Sequence, residues 1–251
     1  MNMKNNLNIV AIVQARMGST RLPGKVMKTI LDKHVILWDI DRVLPSKLID
    51  EIVVAIPFGK QDDVIADTII EEYNNKILIS RGSEDNVLDR YYNAAVQTNA
   101  DVVVRITSDC PLIDPVVVDH VIEQFLNSDC DYCSNSLQRT YPRGLDTEVF
   151  SFDALSKAWN ESKKNYEREH VTPYIIENPD KFKLLNVSNN IDLSHLRWTL
   201  DTKEDFEFID AVYQRIYPEK QMFFMDDVLD LLDHEPGLID INKHIEQKKA
   251  H

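Results

Sequence analysis

Short apolar stretches that do not alternate with polar residues recur through the first half of this chain, and segments of helical period separate them. Leu7–Val13, Ile52–Ile56, Ile77–Ile79 and Asp101–Ile106, the last with an unbroken Val102-Val103-Val104, read as buried strands. Val35–Leu44 carries Ile36, Leu37, Ile40, Val43 and Leu44 on one helical face. Asp62–Tyr73, Val87–Gln97 and Pro115–Leu126 read as further helices, the last with Asp114 as N-cap and Pro115 at its first position. Alternating strands and helices of this kind demand a parallel sheet covered on both faces. Ligands in such α/β folds bind beyond the C-terminal strand edge. The loops after Val13, Ile79 and Ile106 are therefore the ones to search.

Beyond Asp131 the pattern changes. Tyr132–Ser136 and Thr147–Phe150 read as strands, Phe152–Asn160 and Arg168–Glu177 as helices, with Pro173 limiting the second. Phe182–Val187 and Leu196–Leu200 read as strands; Asp205–Ile216, Asp226–Leu232 and Ile239–Gln247 read as closing helices. No repeat or linker interrupts the 251 residues.

With 43% hydrophobic residues the chain can bury a sizeable core. Its formal net charge of −14 disfavours nucleic acid or an anionic membrane as a partner. Met1–Asn6 is polar and lacks a signal-peptide core, and no apolar run reaches a membrane span, so the expected location is the cytoplasm. Cys130 and Cys133 have CxxC spacing, but without a second pair they read as ordinary thiols on opposite faces of a strand.

Against this acidic background, Ala15–Lys25 is basic. It packs Arg16, Arg21 and Lys25, Gly18 and Gly24, and Ser19 and Thr20 into one turn after the first strand. Glycines permit close backbone approach, and successive N–H groups with fixed cations make an anion site. The pattern suits a triphosphate; a solvated basic turn is the alternative. Asp109, in Thr107-Ser108-Asp109-Cys110-Pro111, ends the fourth strand and can hold Mg²⁺, unless it only caps a turn. Asp201 ends another apolar run and offers a second carboxylate, unless it serves only as a helix cap. Together, a cationic loop and two strand-end carboxylates suit nucleotidyl transfer, which depends on positioning and charge neutralisation. Neither a P-loop nor a dinucleotide-binding glycine motif is present.

The segment Val13-Gln14-Ala15-Arg16-Met17-Gly18-Ser19-Thr20-Arg21-Leu22-Pro23-Gly24-Lys25 resembles the signature of sugar-acid cytidylyltransferases, the CMP-acylneuraminate and CMP-3-deoxy-manno-octulosonate synthetases. It is closest to the branch of the spore-coat polysaccharide biosynthesis protein F. Arg81–Asp85, Arg105–Leu112, Tyr141–Asp146, Arg168–Tyr174 and Arg197–Thr202 match further marks in order and spacing.

The resemblance implies a Rossmann-like, three-layer nucleotidyltransferase fold with a mainly parallel sheet and a small β-rich extension. It implies one domain over 1–251, with 131–165 serving sugar binding or dimerisation. The implied reaction is CTP-dependent transfer of CMP to an acidic sugar with Mg²⁺ as cofactor, in a homodimer. The alternatives are another nucleotide, a phosphorylated acceptor, or a nucleotide-sugar-dependent glycosyltransferase. Arg16, Lys25, Asp109 and Asp201 are the implied catalytic residues, with Asp109 and Asp201 as metal ligands. Ala15, Arg16, Gly18, Ser19, Arg21, Lys25, Arg81 and Ser108 are the implied nucleotide-binding residues, Arg81 beside the cytosine.

Arg143, Asp146, Arg168 and His170 are assigned to the acceptor. Arg143 and Arg168 could grip a sugar carboxylate and His170 a hydroxyl. Equally, Arg143 could be a turn residue and Arg168–His170 a solvated helix start. Tyr141 and Trp198 read as core or pocket wall.

Overall fold

A computed structural model describes residues 6–247; the reading of Met1–Asn6 lies almost wholly outside them. The chain runs β1 (Ile9–Gln14), a 3₁₀ turn at Lys25–Met27, a hairpin of β2 (Thr29–Ile30) and β3 (Lys33–His34), α1 (Val35–Val43) and β4 (Glu51–Pro57). It continues through α2 (Asp63–Tyr73), β5 (Leu78–Gly82), α3 (Val87–Thr98), β6 (Val102–Thr107), α4 (Pro115–Leu126), β7 (Tyr132–Ser134), β8 (Glu148–Ser151) and α5 (Phe152–Glu161). The last part comprises α6 (Asn165–His170), α7 (Pro173–Ile176), β9 (Leu184–Asn186), α8 (Lys203–Ile216), α9 (Met225–His234) and a 3₁₀ turn at Pro236–Ile241.

The strands form one sheet in the order β5-β4-β1-β6-β8-β7-β9. β1 lies parallel between β4 and β6, with Gln14 level with Ala55 on one side and Thr107 on the other. The strand order therefore reverses at β1, and the crevice at its C-terminal end is the expected ligand position. β8 runs antiparallel to both β6 and β7, so the β-rich stretch after Asp131 extends the same sheet.

The period-2 geometry of each strand divides the core. Ile9, Ala11 and Val13 of β1 pack under α1, α2 and α4. Val10 and Ile12 face α3, α5 and the segment around α7. A third cluster gathers the β2–β3 hairpin, Trp198 and the inner faces of α8 and α9. Each large aliphatic side chain buried this way contributes ~1.5–3 kcal/mol. Among the described residues, no helix is long and apolar enough to cross a membrane.

Three expected elements differ. Arg168–Glu177 is broken at Val171 into α6 and α7, because Val171 adopts φ 73°, ψ −58°. Leu196–Leu200 is not a strand; Arg197 makes one isolated bridge to Arg143. Ile239–Gln247 contains only the end of a 3₁₀ turn. The two-residue strands β2 and β3 are too short for a periodic signal. Cys130 precedes β7, so strand alternation does not separate it from Cys133. The neighbouring Cys133 thiol and a hydrogen bond from Ser128 Oγ at 3.0 Å lower the Cys130 thiol to about 7.

Candidate active site

β1 delivers the chain to the crevice, and Ala15 extends its ladder by donating to Ala55 O at 3.1 Å. The loop then folds on itself. Met17 N–H donates to the buried Asp62 at 2.7 Å, and Ser19 and Gly24 both donate to Met17 O, at 2.8 and 3.3 Å. Gly24 takes φ 63°, a left-handed conformation that opens the following 3₁₀ turn and projects Lys25 into the crevice.

Lys25 Nζ donates to Asp109 Oδ2 at 2.7 Å, Asp201 Oδ1 at 2.9 Å and Leu200 O at 3.0 Å, which engages all three of its protons. The two carboxylates come from different places in the chain and are tied by their backbones. Leu200 N–H donates to Asp109 O at 2.7 Å, and Thr199 Oγ1 to the same oxygen at 3.2 Å. Asp39, fully buried on α1, accepts Cys110 N–H at 3.0 Å and so braces the Asp109 loop from beneath. Burial and the Asp109 charge push the Asp39 carboxyl well up.

The capping alternatives for the two acids do not apply. Thr202 is the N-cap of α8, in a reciprocal box with Asp205, and Asp114 caps α4. Asp201 is left to face the crevice, where Arg21 reaches its Oδ2 at 2.9 Å and Arg197 at 3.3 Å. Burial alone would raise Asp109, but the Lys25 ammonium holds it at about 2. Burial also acts against the Lys25 charge, and Asp109 and Asp201 outweigh it, so the ammonium is raised.

Two carboxylate oxygens that converge on one cationic nitrogen form a donor set suited to a small divalent cation, with the ammonium as stand-in. Among the described residues there is no cluster of three or more His, Cys, Asp or Glu. Mg²⁺ needs only one or two protein carboxylates when phosphate oxygens and water complete its shell.

A cavity of about 540 Å³ opens over this cluster. Ala15, Arg16, Gly18, Ser19, Arg21, Lys25, Ser108, Asp109, Asp201 and His170 all line it. The other expected site residues lie outside its wall. Arg81 is paired with Asp63 at 2.7 Å and donates to Pro57 O. Arg143 hydrogen-bonds through its backbone to Leu196 and Trp198. Asp146 takes both amino groups of Arg139. Arg168 donates to Trp159 O and Ser162 O at 3.0 and 2.9 Å, closing the end of α5. The side chains of Arg81, Asp146 and Arg168 are engaged by protein partners that sequence spacing does not reveal.

Conversely, Gln14, Arg90, Arg105 and Glu169 line the cavity without having been expected to. Arg90 had a readable signal: it occupies the apolar stripe Val87–Tyr91–Ala94 of α3, where an aliphatic residue belongs. Glu169 and His170 are held in the wall by an unusual turn. Thr172 N–H donates to His170 O at 2.9 Å across Val171, which makes a γ-turn of the rare positive-φ kind. A β-branched residue in this conformation is strained, and Val171 is fully buried, so surrounding packing imposes it.

A cytidylyltransferase family model matches residues 10–229. An uncharacterised protein of Methanocaldococcus jannaschii is 38% identical over 251 residues, spanning 96% of this chain and 97% of that one. The spore coat polysaccharide biosynthesis protein SpsF of Bacillus subtilis is 31% identical, over 91% of this chain and 95% of its own. The solved structure of a cytidylyltransferase from Leptospira borgpetersenii superposes with a TM-score of 0.88 at 34% identity, covering 96% of this chain and all of that one.

Proposed function

We propose that this chain, which belongs to the cytidylyltransferase family, transfers CMP from CTP to a hydroxyl of an acidic sugar and releases pyrophosphate, in the biosynthesis of a surface polysaccharide. The observation that carries the reading is the convergence of Lys25, Asp109 and Asp201 at the foot of the cationic loop. The sugar acceptor is supported by the run of motifs shared with sugar-acid enzymes and by the name of the Bacillus relative.

The acceptor hydroxyl attacks the α-phosphorus in line and gives up its proton to solvent water, while the bond from the α-phosphorus to the bridging oxygen breaks and that oxygen departs on pyrophosphate. Asp109 and Asp201 would hold Mg²⁺, which when bound would supply charge neutralisation at the phosphates and lower the pKa of the attacking hydroxyl. Arg16, Arg21 and the loop N–H groups bind the β- and γ-phosphates and stabilise the departing charge. Lys25 keeps Asp109 ionised and holds Asp201 beside it before the nucleotide arrives. Its ammonium is then available to phosphate oxygens. His170 hydrogen-bonds the acceptor at the far wall.

The test is pyrophosphate release across the four nucleoside triphosphates, with Mg²⁺ and a panel including 3-deoxy-manno-octulosonate and N-acetylneuraminate. The product is identified by mass. A CMP–sugar adduct formed with CTP is the expected result. Sugar transfer from a finished nucleotide sugar, with no pyrophosphate released from any triphosphate, would overturn it.

A further inference from the structure

Several buried polar atoms in the cavity wall have no hydrogen-bond partner among the described residues. They are Gln14 Oε1, Arg90 Nε and Nη1, and Arg105 Nε. Arg105 is already paired with Glu148, so its remaining donor is a minor deficit. Arg90 is different. It is 2% exposed, and two of its guanidinium nitrogens lack acceptors. A buried donor without a partner costs ~1–3 kcal/mol, more when charged. A second feature shows that this position is built in. A Cβ on Gly82 of β5 would lie 2.5 Å from Arg90 Cγ, so only glycine lets the arginine lie along the strand end.

We infer that Arg90 and Gln14, both in the wall of this cavity, read the Watson–Crick edge of the cytosine ring and make the site selective for CTP over UTP. The inference rests on the nucleotide reading above and replaces Arg81, which is turned to Asp63, as the base reader.

Two observations favour a base over the carboxylate of an acceptor. Gln14 Oε1 lacks a donor, and a carboxylate has none to give. Val87, one turn before Arg90 on α3, adds an apolar wall against which a flat ring packs.

Cytosine presents an amino donor at N4 beside acceptors at N3 and O2. The N4 amino group satisfies Gln14 Oε1, and N3 and O2 satisfy Arg90. Uracil carries N3–H instead, which would set a donor against the Arg90 donors. A site built to hydrogen-bond a group rejects an analogue that leaves its buried polar atoms unpaired.

Calorimetric titration of CTP and UTP, with Mg²⁺ and no acceptor, tests this on the wild type and on Arg90→Gln, Arg90→Lys and Gly82→Ala. The wild type is expected to prefer CTP by about 10- to 100-fold, the range of good polar discrimination at a base edge. In Arg90→Gln the ratio falls toward one, mainly through weaker CTP binding. Arg90→Lys keeps the charge but not the planar donors and follows the same course. Gly82→Ala displaces an intact arginine and lowers the ratio too, which guards against a folding defect in either Arg90 variant.

A wild type that binds both nucleotides equally, or variants that weaken both by the same factor, would overturn the inference. Because no acceptor is present, its failure stands apart from that of the proposed reaction. CTP-dependent turnover with an unchanged CTP:UTP ratio in Arg90→Gln sinks only the base reader. A collapsed ratio without turnover of any sugar acid sinks only the acceptor.

Discussion

The two ends of the cavity are built on opposite principles. At the end bounded by Asp109 and Asp201 the central charges are already paired. Lys25 spans both acids, and Arg21 and Arg197 add to Asp201. At the end covered by α3, Arg90 and Gln14 are short of partners. A self-neutralised cluster is stable when empty, and binding there exchanges one set of ion pairs for another. Polar atoms left unsatisfied are completed only by a ligand of matching pattern. The first arrangement suits chemistry, in which charge must move, and the second suits recognition.

Breaking the paired end should have the largest effect. Asp109→Asn is expected to reduce pyrophosphate release by at least ~10³-fold, on the scale of losing a key electrostatic group. CTP affinity should stay within a few-fold, and chelation of Mg²⁺ should reproduce the loss in the wild type. An active Asp109→Asn enzyme with ordinary Mg²⁺ dependence would remove the acid from the mechanism.

Lys25→Met comes next. It leaves two buried carboxylates facing each other, and thermal denaturation should show a loss of ~3 kcal/mol. The pH dependence separates this from simple loss of packing. In the wild type Asp109 lies at about 2 against an ordinary 3.8. The pair's contribution is therefore present above 3.8 and lost as pH falls toward 2. Without Lys25, burial raises Asp109 above its ordinary value, so the variant should gain stability as pH falls toward 3.8 from above and should not show the wild type's loss between 3.8 and 2.

A smaller effect is expected at the turn that carries Glu169 and His170. Val171→Ala loses buried methyls and keeps the strain, at a cost of ~1–2 kcal/mol. Val171→Gly loses more packing but relieves the strain, which is worth ~1–3 kcal/mol. It should therefore be no less stable than Val171→Ala in chemical denaturation. A much less stable glycine variant would show that the turn is unstrained. Arg81→Ala should be the mildest, with CTP affinity changed less than about 2-fold in titration, since a partly exposed ion pair away from the ligand contributes little.

The molecule was unevenly legible in sequence. α4 runs from Pro115 to Leu126 as its cap and period imply, and β1, β4 and β6 lie within two residues of their apolar runs. Helical and strand periods are local properties, and these elements are long enough to display them. The basic loop was legible for the same reason: its glycines and cations are contiguous. The acceptor wall was not. Arg168 carries the right charge, but closing the end of α5 claims it, and Arg143 lies outside the cavity wall. Arg90 showed only as a charge within the apolar stripe of α3, which does not say what it faces.

By itself, the sequence determined an alternating α/β chain with a basic loop at the end of its first strand and two acids at later segment ends. Those features depend on neighbours close in the chain. Only the tertiary structure decided that one ammonium joins Asp109 to Asp201, and that Arg90 faces the cavity while Arg81 leaves it. Each of these depends on partners brought together from distant segments. Whether a charge is spent within the protein or kept for a ligand is settled by that packing.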